Sequence, residues 1–314
     1  MYGHIHIMKR HIIFTISLVS ILTFSCTSPV DDGEPDDFEF RLTDFYPAWS
    51  PDGETIAYVH AGREPGSSGL YLIDADGSNK RQIFTSASIH TPTWSPDGKW
   101  IAFSHNAQIY KLHVGDGELE QLTFEGRNFH PAWSPDGEWI TYRRSYAYPE
   151  KKDVQGIWKI QSDAANKKQL FRGNVGAPTW DIDENKVVFF RGVLNTSGQV
   201  IGDSLWVYDA EKEMLSTIFF KSGKNRFPRY SPDGGSIALS SRKPKGVYNI
   251  WLINSDGTDA KQLTSTSGYT CDWSPDGEWI VFADTRNESG RLWVMRKDGT
   301  DKQQITFESE EVMK

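Results

Sequence analysis

Trp49-Ser50-Pro51-Asp52-Gly53 recurs unchanged from Trp94, Trp133 and Trp273. Two degenerate copies complete the series: Tyr230-Ser231-Pro232-Asp233-Gly234, and Trp180-Asp181-Ile182-Asp183-Glu184, which keeps the aromatic but loses Pro and Gly. Successive aromatics stand 45, 39, 47, 50 and 43 residues apart. That period suits a four-stranded propeller blade and is too long for a leucine-rich or ankyrin unit. Six units therefore predict an all-β fold, a six-bladed β-propeller of four-stranded antiparallel blades.

Each unit reads strand by strand. A short first strand ends at the aromatic-Ser pair, and Pro-Asp-Gly reverses the chain, Pro fixing φ and Gly accepting a positive φ. A second strand follows at once, as in Trp100-Ile101-Ala102-Phe103, Trp139-Ile140-Thr141-Tyr142 and Trp279-Ile280-Val281-Phe282, which reads as alternating β-branched and aromatic residues. Third strands stand at Leu70 to Ile73, Ile157 to Ile160, Leu205 to Tyr208, Ile250 to Ile253 and Leu292 to Met295. Asp76-Gly77, Asp116-Gly117, Asp256-Gly257 and Asp298-Gly299 are placed as hairpins before fourth strands such as Gln121-Leu122-Thr123 and Gln262-Leu263-Thr264. There are seven such fourth strands for six cores, because Phe40-Arg41-Leu42-Thr43 matches Gln303-Gln304-Ile305-Thr306. The carboxy-terminal copy, joined through a local turn, is expected to complete the sixth blade with little loop-closure entropy, leaving the amino-terminal copy to latch the ring.

This recurring Pro-x-Trp-Ser-Pro-Asp-Gly core, with Gln-Leu-Thr closing each unit, resembles the WD40-like repeats of the TolB propeller family over about residues 38–309. The resemblance is to the propeller and not to the amino-terminal α/β domain that precedes it in TolB. It implies a cell-envelope binding or assembly role. A related branch, the oligogalacturonate lyases, holds a divalent metal with several histidines and supplies the enzymatic alternative, a small propeller acting on carbohydrate. A serine-peptidase propeller would require a hydrolase domain.

The 314 residues include 12 Trp, 27 Gly and 15 Pro, a composition for many short strands and tight turns. A formal net charge of −8 and the absence of a clustered Lys/Arg stripe argue against a nucleic-acid partner. Lys9, Arg10 and His11 precede the 13-residue apolar run Ile12 to Phe24, which fits a secretory signal better than a bilayer span of about 20 residues. The start is left open between Met1 and Met8. The run ends in Ser25-Cys26, resembling a lipobox with Thr23 where that motif prefers Leu, and marks Cys26 for lipidation. The domains are then residues 1–25 as a lipoprotein-type signal, 26–37 as an acidic tether with Asp31, Asp32, Glu34, Asp36 and Asp37, 38–309 as the propeller and 310–314 as a tail. The chain is expected to be a monomer, exported through the inner membrane and lipid-anchored in the envelope, at the outer membrane. Cys271 reads as a lone thiol.

No Gly-x-Ser-x-Gly, His-Glu-x-x-His, phosphate loop or Cys-x-x-Cys is present. No catalytic residue, metal or other cofactor is expected. Asp52, Asp97, Asp136, Asp233 and Asp276 recur as turn formers, and Asp181 to Asn185, faintly like a Ca²⁺ loop, reads as a degenerate turn. Function in a propeller is expected on the axis. The entry positions there are Phe45-Tyr46, His90-Thr91, Phe129-His130, Gly176-Ala177, Arg226-Phe227 and Tyr269-Thr270, and the residue before each aromatic is Ala48, Thr93, Ala132, Thr179, Arg229 and Asp272. A rim of Tyr46, His90, His130, Arg226 and Tyr269, with Arg229 and Asp272 beneath, is the expected site for an envelope protein or glycan. Arg229 and Asp272 read either as a structural ion pair or as a polar anchor for a partner's carboxylate or amide. His90 and His130 invite a metal, but His60, His105 and His113 are dispersed elsewhere. The segments from Arg143 to Gly156, carrying Tyr146 and Tyr148, and from Arg191 to Ser204 read as long loops suited to contact.

Overall fold

A computed structural model describes residues 43–145, 154–182, 186–197, 200–221, 223–243, 246–284, 286 and 290–307. They form 24 strands in six antiparallel four-stranded sheets, each built from four consecutive strands, with no α-helix among them. In blade one, β1 (Asp44–Trp49), β2 (Thr55–His60), β3 (Gly69–Asp74) and β4 (Arg81–Thr85) lie in that order from axis to rim. The innermost strands of the other blades are β5 (Ile89–Trp94), β9 (Arg127–Trp133), β13 (Thr179–Trp180), β17 (Lys224–Tyr230) and β21 (Cys271–Trp273).

The repeat works through one hydrogen-bond unit. Ser50 Oγ donates to Asp52 Oδ1 at 2.5 Å and accepts the backbone N–H of Thr55 at 2.9 Å, while Asp52 Oδ1 accepts Glu54 N–H at 3.0 Å. Ser95–Asp97, Ser134–Asp136, Ser231–Asp233 and Ser274–Asp276 repeat the Ser-to-Asp bond. These bonds hold the carboxyls of Asp52, Asp97, Asp233 and Asp276 below their ordinary value, which suits turn formers rather than proton carriers. The closing Gln-Leu-Thr also has a mechanism. Thr123, Thr264 and Thr306 Oγ1 accept the N–H of the second residue of the third strand, Ile109, Ile250 and Leu292, at 2.8–2.9 Å. Gln121, Gln262 and Gln304 brace the same threonines by donating to their carbonyls.

Blades are stitched to one another by indoles. Trp94 Nε1 donates to Ala48 O at 3.0 Å, Trp180 Nε1 to Ala132 O at 3.1 Å and Trp273 Nε1 to Arg229 O at 3.1 Å. The outer Asp-Gly turns tuck under a neighbour: a Cβ on Gly77 would lie 2.8 Å from Ile305 O, so glycine there serves both a φ of +89° and the close approach. The core therefore sits between blades. Ile56, Tyr58 and Ile73 of blade one, for example, pack on Val281, Leu292 and Val294 of blade six.

Two expectations change. The second strands do not alternate in burial: Ile101, Ala102 and Phe103 are all fully buried, because a neighbouring blade covers each face. The segment from Arg191 to Ser204 is not a loop but mostly hairpin, made by β14 (Lys186–Leu194) and β15 (Val200–Asp209). Blade six is completed by β24 (Gln303–Gln304) on β23 (Arg291–Arg296), the carboxy-terminal copy. Of the amino-terminal copy, residues 40–42 lie outside the described residues, as do Cys26, the signal, the tether, the tail and Tyr146 and Tyr148. Thr43 is described, and its Oγ1 and Asp44 N both donate to Gly290 O at 3.1 Å.

Candidate functional site

The axial side chains are presented by a repeated irregularity. The pairing of β1 with β2, β5 with β6 (Trp100–His105), β9 with β10 (Trp139–Ser145) and β17 with β18 (Ser236–Arg242) skips register at one place in each innermost strand. At that place Tyr46, Thr91, His130 and Phe227 adopt φ of +54°, +48°, +56° and +50°. All four precede proline: Pro47, Pro92, Pro131 and Pro228. The bulge turns the inner strand and aims its side chain inward.

What converges is an aromatic plug. Phe227 lies 5.5 Å from Tyr46, 5.6 Å from His130 and 5.4 Å from Tyr269 between ring centroids, and Tyr46 lies 6.0 Å from His90. Tyr46, His130, Phe227 and Tyr269 are each buried, and the expected rim is thus largely interior. Arg226 is buried too, with Nη1 3.6 Å from Asp203 Oδ2, a residue delivered by β15. Of the entry pair Arg226-Phe227 it is Phe227, the residue before proline, that joins the plug, where the expected rim named Arg226.

Charge within the plug is one-sided. Burial drives His130 well below the ordinary imidazole range, reinforced by Arg143, His90, Arg229 and Arg226 in turn. His90, half-buried, is lowered to about 4 by desolvation. Both are neutral at physiological pH, and His130 Nδ1 is buried with no hydrogen-bond partner among the described residues. Arg143, from β10, is a buried member of this group that its position after Tyr142 on a second strand did not reveal. The other histidines are occupied: His60 Nδ1 with Asp44 at 2.6 Å, His113 Nδ1 with Asp116 at 2.7 Å, and His105 Nδ1 with Ser88 at 3.1 Å. Among the described residues no three His, Cys, Asp or Glu gather as a metal site.

Below the plug, the six residues that precede the blade aromatics meet. Ala48, Thr93, Ala132, Thr179, Arg229 and Asp272 together line a funnel of about 320 Å³ that opens on the face bearing the Ser-Pro-Asp-Gly turns. Arg229 Nε stands 3.7 Å from Asp272 Oδ1, and Asp272 Oδ2 accepts Trp49 N–H at 2.8 Å. Burial raises the Asp272 carboxyl above its ordinary value, outweighing Arg229 and the N–H groups of Trp49 and Trp273. Cys271 beside it is a free, buried thiol pushed up to about 12 by desolvation, which makes it unreactive.

Residues 38–191 and 200–314 match the TolB beta propeller domain family. A stretch of 81 residues, 25% of the chain, is 32% identical to the Tol-Pal system protein TolB of Alcanivorax borkumensis, and covers 19% of that protein. Another 112 residues, 34% of the chain, are 25% identical to an uncharacterized peptidase, YuxL, of Bacillus subtilis, and cover 17% of it. The chain thus spans under a fifth of these relatives. Among solved structures, TolB from Acinetobacter baumannii superposes with a TM-score of 0.66 at 24% identity, over 86% of this chain and 64% of that one. An oligogalacturonate lyase in complex with manganese superposes with a TM-score of 0.55 at 15% identity, over 83% and 76% of the two chains, a likeness of fold alone. With its six blades, their shared turn chemistry and a family match over most of its length, the chain belongs to the TolB β-propeller family.

Proposed function

We propose that this chain is a non-catalytic cell-envelope lipoprotein whose propeller binds a protein partner, or a glycan, on its axis in a scaffold or assembly role. The observation that supports the reading is the funnel, where all six blades contribute a side chain and the charged groups among the described lining residues are Arg229, Asp272 and Asp181. A concave site with apolar walls and few placed polar groups favours recognition over chemistry. The relative that carries the Tol-Pal system name points the same way. Attachment through Cys26 would hold the propeller at the outer membrane, and the residues preceding the propeller would act as its tether.

Affinity capture from envelope membranes tests the axial site. Thr93→Arg fills the funnel from a half-buried wall position and should abolish recovery of the partner while the melting temperature holds. Equal recovery by wild type and Thr93→Arg would refute an axial site. Anchoring is tested separately: Cys26→Ser should move the protein from the membrane to the soluble fraction and abolish labelling by a palmitate analogue, and an unlabelled wild type would refute lipidation.

A further inference from the structure

The two ends of the axis are chemically unlike. The entry positions are filled by Tyr46, Phe227, Tyr269 and His130, all buried, so nothing inserts there without displacing packed rings. The turn face is open. Its funnel is walled by the indoles of Trp94, Trp133 and Trp180 and the rings of Pro96, Pro135 and Pro232. Small side chains, Ala48 and Ala132, keep the floor wide.

Asp181, Ser134 and Ser231 add polar groups to this mixed wall, into which projects a guanidinium that the protein hardly uses. Among the described residues the Arg229 guanidinium makes a single hydrogen bond, from Nη1 to Pro228 O at 3.2 Å. Asp272 Oδ1, at 3.7 Å from Nε, is beyond hydrogen-bond reach, and the other oxygen of that carboxylate is already engaged by Trp49 N–H. Five N–H donors in a fixed fork, one of them satisfied, are matched by a carboxylate that can accept two. Thr93 and Thr179 also line the funnel. Arg229 is 19% exposed and Asp272 22%, so both remain reachable from the funnel mouth.

We infer that the funnel on the turn face is the binding surface, and that it takes a peptide carrying a carboxylate beside an apolar or aromatic side chain, the carboxylate on Arg229 and the apolar group among the tryptophans. This rests on the axial reading above and adds to it the face and the chemical class. The partly buried fork strengthens the ion pair relative to bulk water, and Asp272 and Asp181 confer selectivity by opposing an anion that cannot reach the fork.

Two probes test it on the whole protein: N-acetyl-phenylalanine, and N-acetyl-phenylalaninamide, which differs only in lacking the charge. Indole N–H resonances of Trp94, Trp133 and Trp180 report binding. The carboxylate is expected to bind about tenfold or more tighter than the amide, since a hydrogen bond to a charged group contributes about 1.5–3 kcal/mol and 1.4 kcal/mol is tenfold. Arg229→Gln should remove that difference, and Arg229→Lys, which keeps charge without the fork, should retain part of it. Equal binding of the two probes to wild type overturns the inference, with no reliance on any variant folding. Envelope capture separates this failure from that of the axial reading. If Thr93→Arg loses the partner but Arg229→Gln keeps it, the axis stands and the carboxylate falls; if both keep it, the axis itself falls.

Discussion

Asp44 in the first blade faces Arg291 in the last, with Oδ2 3.7 Å from Nη1. Asp44 is 1% exposed, and its other oxygen accepts the Nδ1 proton of His60 at 2.6 Å. Arg291 also donates to Thr43 Oγ1, whose hydroxyl reaches Gly290 O. The two ends of the described ring are thus joined by a buried carboxylate that serves both sides of the seam. Removing it would take one facing carboxylate from Arg291, itself only 12% exposed, and the hydrogen-bond acceptor from His60 Nδ1. Breaking one side of a buried pair typically costs about 3–5 kcal/mol, so Asp44→Ala should lower the melting temperature by roughly 10 °C in a domain of this size. Calorimetry comparing it with an exposed control, Glu118→Ala, decides the matter; equal shifts would mean that the seam is held by apolar packing alone. Deleting residues 38–44 should destabilise at least as much.

The indole stitches make a sharper comparison. Trp94, Trp180 and Trp273 each donate to a neighbouring blade, whereas Trp133 Nε1 is buried with no acceptor among the described residues. Trp→Phe keeps much of the ring and removes the donor. The change should cost about 1 kcal/mol from the hydrogen bond at positions 94, 180 and 273, in addition to the smaller ring, and visibly less at 133. Urea unfolding of the four variants measures this, and a Trp133→Phe loss as large as the others would show that ring volume, not the hydrogen bond, sets the effect.

Much of this architecture was legible in the chain because turn chemistry is local. Ser, Asp and Gly of the repeat satisfy one another within six residues, so spacing alone counted the blades and located their hairpins. The axial site was legible only in part. Ala48, Thr93, Ala132, Thr179, Arg229 and Asp272 share one position relative to the aromatic, and that register survives into a single funnel. The expected rim mixed two registers, Tyr46 and His130 three residues before the aromatic and His90, Arg226 and Tyr269 four before it, and the positive-φ bulge falls on the residue before proline, which selects Phe227 over Arg226. Burial of the rim was equally hidden: Tyr46, Tyr269 and Phe227 become interior only by meeting across the axis. Arg143 and Asp203 arrive from second and third strands, where nothing in the repeat marks them.

The buried imidazoles give the fold a pH dependence of definite sign. His90 and His130 have folded pKa values below the ordinary 6.5, His90 at about 4. Between those values the unfolded chain binds a proton that the folded chain refuses, so stability falls as pH drops from about 6.5 toward 4. Asp272, whose pKa is raised, acts in the opposite sense as the pH falls toward its pKa, so the informative measurement is a difference between proteins. His90→Asn should flatten the melting-temperature curve between pH 6.5 and 4 relative to wild type. Parallel curves would show that His90 titrates normally in the folded state.

The same histidines separate binding from lyase-like chemistry. A divalent cation held by His90 and His130 would need both imidazoles and at least one further ligand, with charge that favours a cation. The field at His130 has the opposite character, set by Arg143, Arg229 and Arg226. The carboxylates near the axis, Asp203 and Asp272, already face Arg226 and Arg229. Protein purified without chelator should therefore carry no stoichiometric divalent metal on these residues, and a chelator should leave its melting temperature unchanged. His90→Ala and His130→Ala should alter stability without altering metal content, since each removes a packed ring from the plug rather than a ligand. Elemental analysis and an unsaturated-uronate assay on wild type and both variants check this together. If wild type holds one equivalent of metal, and either substitution removes both the metal and a measurable uronate cleavage, the plug is an active site and the binding-only reading is wrong.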